Sequence, residues 1–152
     1  NILGGQVLDA VVLDLFGGTG ALALEALSRG AARAVIADNS RRAIEVISRN
    51  AANVLKDELE ARVRIVKADY RSAISALGER FDLVFLDPPY RMTDAYADAM
   101  ARLLSARALT EGAVIVCERR RDVEIDVPDG FEIYDMRSYG ETAIDFVRRI
   151  EG

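Results

Sequence analysis

The tetrapeptide Asp87-Pro88-Pro89-Tyr90 places an acid, two prolines and an aromatic residue directly after an apolar run. Proline has no N–H to donate to a sheet, so the prolines must end the preceding strand in a stiff, extended turn. The Asp87 carboxylate and the proline carbonyls can then accept hydrogen bonds from both protons of a planar exocyclic amine, while Tyr90 stacks on the base. We therefore expect these four residues to form a catalytic site. The alternative is a rigid turn in which Tyr90 packs into the core.

Acidic residues end five apolar runs that the sequence predicts to be parallel strands: Asp14, Asp38, Asp69, Asp87 and Glu118. Parallel strands bring these ends to one edge of a sheet, and open α/β sheets bind their ligands at that edge. Any one of these acids could simply cap the following helix. Five carboxylates at one edge repel one another unless a ligand brings positive charge or hydrogen-bond donors, so the pattern predicts such a ligand.

A glycine-rich turn follows the first of these runs. Gly18, Gly20 and Ala23 fit the nucleotide-binding fingerprint G-x-G-x-x-G/A, whose glycines permit a tight turn and a close approach of the backbone to a ligand. Asp38 lies 18 residues after Gly20 (38 − 20), where a carboxylate can accept hydrogen bonds from both hydroxyls of a ribose. The turn and Asp38 together predict a ligand that contains a nucleoside.

Two classes of cofactor fit this arrangement, and their charges differ. A dinucleotide carries an anionic pyrophosphate, which Asp14 beside the turn would repel. S-adenosylmethionine carries no phosphate but has a sulfonium, an ammonium, a ribose diol and an adenine amine. Asp14, Asp38 and Asp69 could satisfy the methionine end, the ribose and the adenine amine in turn. Charge therefore favours S-adenosylmethionine, which becomes S-adenosylhomocysteine after methyl transfer.

The chain of 152 residues contains no histidine and a single cysteine, Cys117. The lack of histidine excludes Ser-His-Asp triads and histidine general bases, and no metal site is predicted. Methyl transfer from a sulfonium needs neither, because alignment supplies most of the catalysis and Asp87 or water can take the proton. A target base inside a duplex would have to be flipped out. Cys117 lies in an apolar run and is expected in the core, and one cysteine fits a reducing cytoplasm.

Short apolar runs alternate with amphipathic patterns, which predicts an α/β fold with a mostly parallel sheet and helices on both faces. Strands are predicted at residues 9–16, 32–39, 62–69, 81–87 and 112–118, and residues 131–150 are predicted to form a hairpin around Gly140 and Glu141. Helices are predicted at residues 20–30, 40–58 and 93–109 and in a short segment up to Gly78, with Ser40 and Thr93 as N-caps.

Three segments carry a resemblance to a known family: VLDLFGGTGALALEALSRGA, VFLDPPY and YGET. They resemble the bacterial family that methylates N2 of a guanine in 16S ribosomal RNA, and the likeness runs over residues 12–147. The resemblance implies a Rossmann-like S-adenosylmethionine-dependent methyltransferase fold with strand order 3-2-1-4-5-7-6 and strand 7 antiparallel. It implies a target-amine site at residues 87–90 and donor contacts at Asp14, Phe16, Gly18, Thr19, Gly20, Asp38, Asn39, Asp69 and Tyr70. Gly17 departs from the alanine more usual in the family, which the sequence alone presents as a minor change.

The resemblance also implies partners. We expect S-adenosylmethionine as cofactor, 16S rRNA or the assembling small ribosomal subunit as substrate, a cytoplasmic monomer and no membrane association. DNA adenine-N6 and cytosine-N4 amino-methyltransferases share the tetrapeptide and are the alternative. An NAD(P)-binding oxidoreductase or a nucleotide-binding module without catalysis is a more distant one. Family members carry a basic segment ahead of Asn1, so we expect one domain over residues 1–152 with an upstream segment missing.

Arginines near the predicted site are candidates for contacts with RNA phosphates. Arg119, Arg120 and Arg121 follow the fifth strand, and Arg91 follows the tetrapeptide. The alternative is that they are solvated surface arginines, and the net charge of −5 argues weakly against a general nucleic-acid coat. They are therefore left outside the predicted catalytic set.

Overall fold

The computed structural model describes residues 4–150. Within that part of the chain, seven strands are β1 (Val11–Asp14), β2 (Arg33–Asp38), β3 (Val63–Lys67), β4 (Phe81–Leu86), β5 (Leu109–Arg120), β6 (Phe131–Tyr139) and β7 (Thr142–Arg149). The α-helices are α1 (Ala21–Ser28), α2 (Arg41–Leu55), α3 (Leu59–Arg62), α4 (Tyr70–Leu77) and α5 (Ala95–Ser105), with 3₁₀ turns at Gly4–Val7 and Lys56–Glu58. None of these helices is long and apolar enough to cross a membrane.

All seven strands belong to one sheet, in the order β3-β2-β1-β4-β5-β7-β6. Strands β1 to β5 are parallel to one another, whereas β7 lies antiparallel to both β5 and β6. The β6–β7 hairpin turns at Gly140 and Glu141 and extends the sheet beyond β5. This topology confirms the α/β class, the strand order and the antiparallel strand 7 expected from the sequence.

Helices cover both faces of the sheet, and alternate strand residues supply the two apolar layers beneath them. In β1, Val12 packs in the layer under α1 and α2, whereas Leu13 packs in the layer under α4 and α5. Burial on both faces is the usual state of a parallel sheet, and it gives these strands nearly continuous apolar sequences. Cys117 of β5 is fully buried in the α4–α5 layer, which confirms that it is a core residue. Burial raises the pKa of its thiol well above the usual range.

Helix α2 begins as the sequence predicts. The Ser40 hydroxyl accepts a hydrogen bond from the Ala43 N–H at 3.2 Å, as an N-cap should. The helix packs its predicted apolar face into the core through Ile47, Ala51 and Leu55. It ends at Leu55 rather than at residue 58, because Lys56 adopts a positive φ of 50°.

The predicted limits of α5 were wrong at both ends. Thr93 is not its N-cap: Asp94 holds that position with a helical backbone and no side-chain cap hydrogen bond. The helix ends at Ser105 instead of residue 109, because Arg107 takes a positive φ of 55° and Ala108 turns toward the sheet. The Phe81 N–H then donates to the Ala108 carbonyl at 2.8 Å, so strand pairing replaces the last predicted helical turn.

The prediction that every parallel strand ends in an acid holds only in part. Asp14 and Asp38 are the last residues of β1 and β2, and Asp87 directly follows β4. Strand β3 ends earlier, at Lys67, because Asp69 instead caps α4. Glu118 lies inside β5, which continues to Arg120 because its partner β7 extends the ladder. All five acids nevertheless lie toward the same edge of the sheet.

Candidate active site

An open cleft of about 660 Å³ lies at the carboxyl ends of the central strands. Its walls combine apolar side chains with carboxylates and a proline turn. The lining residues are Leu15, Phe16, Gly18, Asp38, Asn39, Ala68, Asp69, Tyr70, Arg71, Asp87, Pro88, Pro89 and Met92. We call this the first cleft; its size and mixed lining suit a nucleoside-sized ligand.

The glycine turn between β1 and α1 forms one wall of the first cleft. Gly18 and Gly20 have positive φ values of 60° and 82°, a conformation that side-chain-bearing residues rarely adopt. The Gly18 N–H donates to Asp38 Oδ2 at 2.9 Å, and the Ser40 N–H donates to Asp38 Oδ1 at 2.8 Å. Each oxygen of a carboxylate has two lone pairs, so Asp38 is oriented by the backbone and can still accept from a ligand.

Gly17 has no room for a side chain. A Cβ atom there would lie 2.6 Å from Ile36 Cγ2 and 2.9 Å from Ile47 Cδ1, and both neighbours belong to the packed core. The sequence-based view that alanine at this position is a minor change is therefore wrong for this chain, because β2 and α2 already occupy the space.

Gly17→Ala should therefore lower the free energy of unfolding by about 1–3 kcal/mol, the usual cost of overpacking. The measurement is urea denaturation of the variant against the wild type. Gly112→Ala is the matched control, because no atom beyond the two adjacent residues lies within 4 Å of the added Cβ. Equal midpoints for the two variants would contradict the prediction.

Two aromatic rings form the inner wall of the first cleft. The Phe16 and Tyr70 centroids are 5.3 Å apart with an interplanar angle of 41°. The Tyr70 hydroxyl donates to Asp98 on α5, and the Arg71 guanidinium lies over the Tyr70 ring. Burial and the hydrogen bond with Asp98 raise the pKa of Tyr70. The ring is therefore held in place by α5, on which no residue was predicted as part of the cofactor site.

Asp69 lies in the first cleft and also acts as the N-cap of α4. Its Oδ1 accepts from the Ser72 N–H at 2.9 Å, and its Oδ2 accepts from the Ser72 hydroxyl at 3.2 Å. The Ser72 backbone hydrogen bond is the main cause that lowers the pKa of Asp69. The carboxylate therefore stays ionised and oriented, with lone pairs left for a ligand amine.

Asp14 lies behind the cleft rather than on its surface. Only 2% of it is exposed, and its Oδ1 accepts from the Phe16 N–H at 3.1 Å. Burial raises its pKa to about 7, although that hydrogen bond opposes the shift, and the negative charges of Asp87, Asp38 and Glu118 raise it further. The ionisation of Asp14 is therefore coupled to the charges of the other acids at this edge, although Asp14 does not line the first cleft.

A second, smaller cavity of about 170 Å³ lies on the other side of the Asp87–Pro89 turn. Asp87, Pro88 and Pro89 line both spaces, so the turn is the shared wall. The second cavity is completed by Tyr90, Thr93, Tyr96, Glu118, Arg119, Arg120, Val123 and Thr142. Tyr90 is 74% exposed, so its ring is available to a partner and the alternative that it packs into the core is excluded.

Asp87 and Glu118 are neighbours at this shared wall. Partial burial raises the pKa of Asp87 to about 6, and the neighbouring negative charge of Glu118 contributes to the rise. An acid with a raised pKa in a cleft is a frequent mark of a functional site.

The methyl transfer that the family resemblance implies should depend on the ionisation of Asp87. Only the carboxylate form is an acceptor at both oxygens, so kcat/KM for methyl transfer should rise as the pH increases through about 6 and level off above it. The measurement is a pH–rate profile between about pH 5 and 8. Asp87→Asn cannot titrate, and an unchanged profile in that slower variant would contradict the assignment.

The structure brings most of the predicted residues together at the two cavities. Nine of them line the first cleft: Phe16, Gly18, Asp38, Asn39, Asp69, Tyr70, Asp87, Pro88 and Pro89. Tyr90 lines the second cavity only. Thr19, Gly20 and Asp14 line neither cavity; the Thr19 carbonyl accepts from Asn50 at 2.9 Å, and Gly20 is the N-cap residue of α1.

Sequence reasoning missed several residues of these cavities. Arg71, Met92 and Ala68 line the first cleft, and Tyr96 and Val123 line the second. Tyr96 was assigned to the core, and it is buried as expected, but its hydroxyl also donates to the Glu118 carbonyl beside the cavity. In the sequence, only their positions close after Asp69 and after the Asp87–Tyr90 tetrapeptide could have indicated Arg71 and Met92.

The arginine candidates for phosphate contacts differ in environment. Arg119 is nearly buried, and its Nε lies 2.6 Å from Asp145 Oδ2, so its guanidinium is engaged in an internal ion pair. Arg120 pairs with Asp122 on the surface, and the side chains of Arg91 and Arg121 are exposed. The side chains of the last three are exposed, so these residues remain the candidates for phosphate contacts.

The Rossmann-like sheet, with its glycine turn, its acidic cleft edge and the proline turn between two cavities, has the fold of the S-adenosylmethionine-dependent methyltransferases. The same fold occurs in the solved structure titled "Crystal structure of SMU.776, a putative methyltransferase complexed with SAH" (TM-score 0.76, 15% identity), covering 96% of this chain and 47% of that one. At that identity the likeness shows the fold alone.

The chain belongs to the family described as "Conserved hypothetical protein 95", which matches residues 1–148. It is 31% identical to "Putative rRNA methyltransferase YlbH" of Bacillus subtilis over 98% of this chain and 81% of that protein. It is 36% identical to "Ribosomal RNA small subunit methyltransferase D" of Escherichia coli K12 over 60% of this chain and 44% of that one. The structure of "Putative methyltransferase yhhF from Escherichia coli" has a TM-score of 0.86, with 28% identity over 100% of this chain and 84% of that chain. These findings confirm the family resemblance seen in the sequence.

Proposed function

We propose that the protein methylates the exocyclic N2 amine of a guanine in 16S rRNA, with S-adenosylmethionine bound in the first cleft. The observation that carries this proposal is the Asp87–Pro89 turn, which forms the shared wall of two cavities. A donor in one cavity and a base in the other would meet across the acceptors of that turn. Such an arrangement supplies the alignment on which direct methyl transfer depends.

The residues of the first cleft fit the donor. Asp38 and Asp69 are oriented by backbone hydrogen bonds and retain lone pairs for a ribose diol and an adenine amine. Phe16 and Ala68 provide apolar wall for the adenine ring. When bound, S-adenosylmethionine supplies a methyl group on a positively charged sulfur, and the acidic edge formed with Asp87 and Asp14 favours that charge.

The chain's own residues hold the amine and take up its proton. Asp87 and the Pro88 carbonyl accept from the two amine protons, which turns the nitrogen lone pair toward the methyl group. The amine nitrogen would take the methyl group, and the donor would be left as a neutral thioether. The nitrogen becomes positively charged, and its extra proton passes to Asp87 or to water. No histidine is required.

Support for an rRNA acceptor comes from the relatives, two of which bear rRNA methyltransferase names. Guanine N2 and the 16S molecule come from the family resemblance. Tyr90 is exposed beside the second cavity and could stack on a base that is unpaired or flipped out. We further propose a single methyltransferase domain over residues 1–152 that acts as a monomer in the cytoplasm, on naked 16S rRNA or on an assembling small subunit.

A DNA amino-methyltransferase is the second candidate. Such enzymes often carry a sizeable target-recognition insert, whereas the longest irregular connection within residues 4–150 is the segment 121–130. A dinucleotide-binding oxidoreductase fits less well, because the Gly18 N–H that a pyrophosphate would use already donates to Asp38. Both observations favour the RNA methyltransferase.

Methyl transfer from labelled S-adenosylmethionine tests the proposal. The full-length protein is offered small ribosomal subunits from cells that lack it, naked 16S rRNA, and DNA, and the modified nucleoside is identified after digestion. We expect N2-methylguanosine from RNA and no label in DNA. Calorimetry with S-adenosylmethionine, S-adenosylhomocysteine and NAD tests the cofactor separately, and NAD binding without donor binding would refute it.

A further inference from the structure

Glu118 lies beside Asp87 in the second cavity, where an acceptor base would present its edge. We propose that Glu118 is the specificity-determining residue of this enzyme: its carboxylate selects guanine by accepting the ring N1–H next to the target amine. This inference rests on the proposed function. It adds a role for a residue outside the Asp87–Tyr90 tetrapeptide.

The register of the sheet places the two acids side by side. Leu86 of β4 pairs with Cys117 of β5, so Asp87 and Glu118 are the next residues on adjacent parallel strands. Neighbouring strands lie about 4.8 Å apart, so the backbone positions of the two acids are close together. Both residues line the second cavity, so they face the same space.

Glu118 is also held more firmly than a loop residue. It pairs with Ile144 of β7 on the side away from Asp87, and its carbonyl accepts a hydrogen bond from the Tyr96 hydroxyl. Asp87 and Glu118 are the two carboxylates among the described residues of this cavity. Arg119, which also lines it, is occupied by Asp145. A base entering the cavity therefore meets two neighbouring acidic side chains, of which Glu118 is held by the sheet.

The chemistry of base edges then determines which base fits. In guanine the N2 amine is adjacent to N1–H, so both neighbouring groups are donors. In adenine and cytosine the exocyclic amine is adjacent to an unprotonated ring nitrogen, which is an acceptor. An ionised carboxylate can only accept, so it pairs with the guanine edge and repels the other two. Asp87 with the Pro88 carbonyl would hold the amine, and Glu118 would hold the ring N–H.

Two substitutions separate reading of the base from a purely electrostatic effect on Asp87. Glu118→Leu removes both the charge and the acceptor, whereas Glu118→Gln removes the charge but keeps an amide oxygen that can accept N1–H. If Glu118 acted only through its charge, the two variants would behave alike. We expect Glu118→Leu to lose about 10- to 100-fold in kcat/KM for guanine methylation, the range for one good base contact, and Glu118→Gln to lose clearly less.

The experiment uses the full-length protein, labelled S-adenosylmethionine and small ribosomal subunits from cells that lack the enzyme. Donor affinity and melting temperature are measured first for each variant and should match the wild type. Glu111→Leu, an exposed position on the same strand, is the control and should leave transfer unchanged. If Glu118→Leu fails to bind the donor, the role of Glu118 is tested by comparing Glu118→Gln with the wild type. We then expect a lower kcat/KM in Glu118→Gln.

The outcomes distinguish this inference from the proposed function. Equal kcat/KM in the wild type and Glu118→Leu, or equal losses in Glu118→Leu and Glu118→Gln, would overturn the role of Glu118 while N2-methylguanosine formation still stood. A wild type that yields methylated adenine or cytosine instead would overturn both.

Discussion

Replacing Asp87 with alanine should reduce methyl transfer by roughly 10²- to 10⁴-fold, the range for a positioned proton acceptor. The variant loses the carboxylate that accepts an amine proton and leaves only the Pro88 carbonyl at the shared wall. Donor binding should stay nearly intact, because Asp38 and Asp69 remain oriented by their backbone hydrogen bonds. The measurements are single-turnover transfer to small ribosomal subunits and calorimetry with S-adenosylmethionine.

Asp94→Ala is the matched control for this experiment. Asp94 is exposed close to the same turn and makes no side-chain cap hydrogen bond with α5, so its removal should change neither quantity. A large loss of donor affinity in Asp87→Ala would assign Asp87 to cofactor binding instead. Full activity in Asp87→Ala would remove the tetrapeptide from the mechanism.

Replacing Arg119 with methionine should lower the free energy of unfolding by about 3–5 kcal/mol. Arg119 Nε lies 2.6 Å from Asp145 Oδ2, and the two side chains are only 9% and 3% exposed. Without the guanidinium, Asp145 keeps a buried charge with no compensating partner, which is the costly way to break an ion pair. Arg119 also donates to the Val123 carbonyl at 2.5 Å, so the segment after β5 should loosen as well.

The adjacent Arg120 provides the control. Its ion pair with Asp122 is exposed, with 62% and 70% of the two side chains accessible, so Arg120→Met should cost at most about 1 kcal/mol. The double variant Arg119→Met with Asp145→Leu should recover most of the loss, because it removes the stranded charge. Urea denaturation measures all three, and similar losses for Arg119→Met and Arg120→Met would contradict the prediction.

Features that depend on covalent geometry or on local hydrogen bonds could be predicted from the sequence. The prolines at 88 and 89 had to end β4, because they have no N–H to give to a neighbouring strand. Ser40 had to cap α2, because its hydroxyl reaches an N–H only three residues away. The apolar runs also predicted the strands, because a parallel strand that is buried on both faces requires a nearly continuous apolar sequence.

Features that depend on packing between segments distant in the sequence could not be predicted. Thr93 has the composition of an N-cap, yet the backbone enters α5 one residue later. Asp69 was expected either at the ligand edge or as a helix cap, and only the structure shows that it lines the cleft and caps α4 at once. Gly17 looked replaceable because its neighbours Ile36 and Ile47 are distant in the chain.

The sequence by itself determined the alternation of strands and helices, the stop after β4 and the presence of acids near one edge of a sheet. Only the tertiary structure decided what each acid or arginine does there. The register of β4 with β5 placed Asp87 next to Glu118. The pairing of β5 with β7 brought Arg119 next to Asp145, and the ion pair between them engages the guanidinium within the fold. Register is a property of two strands packed together, and no single stretch of sequence contains it.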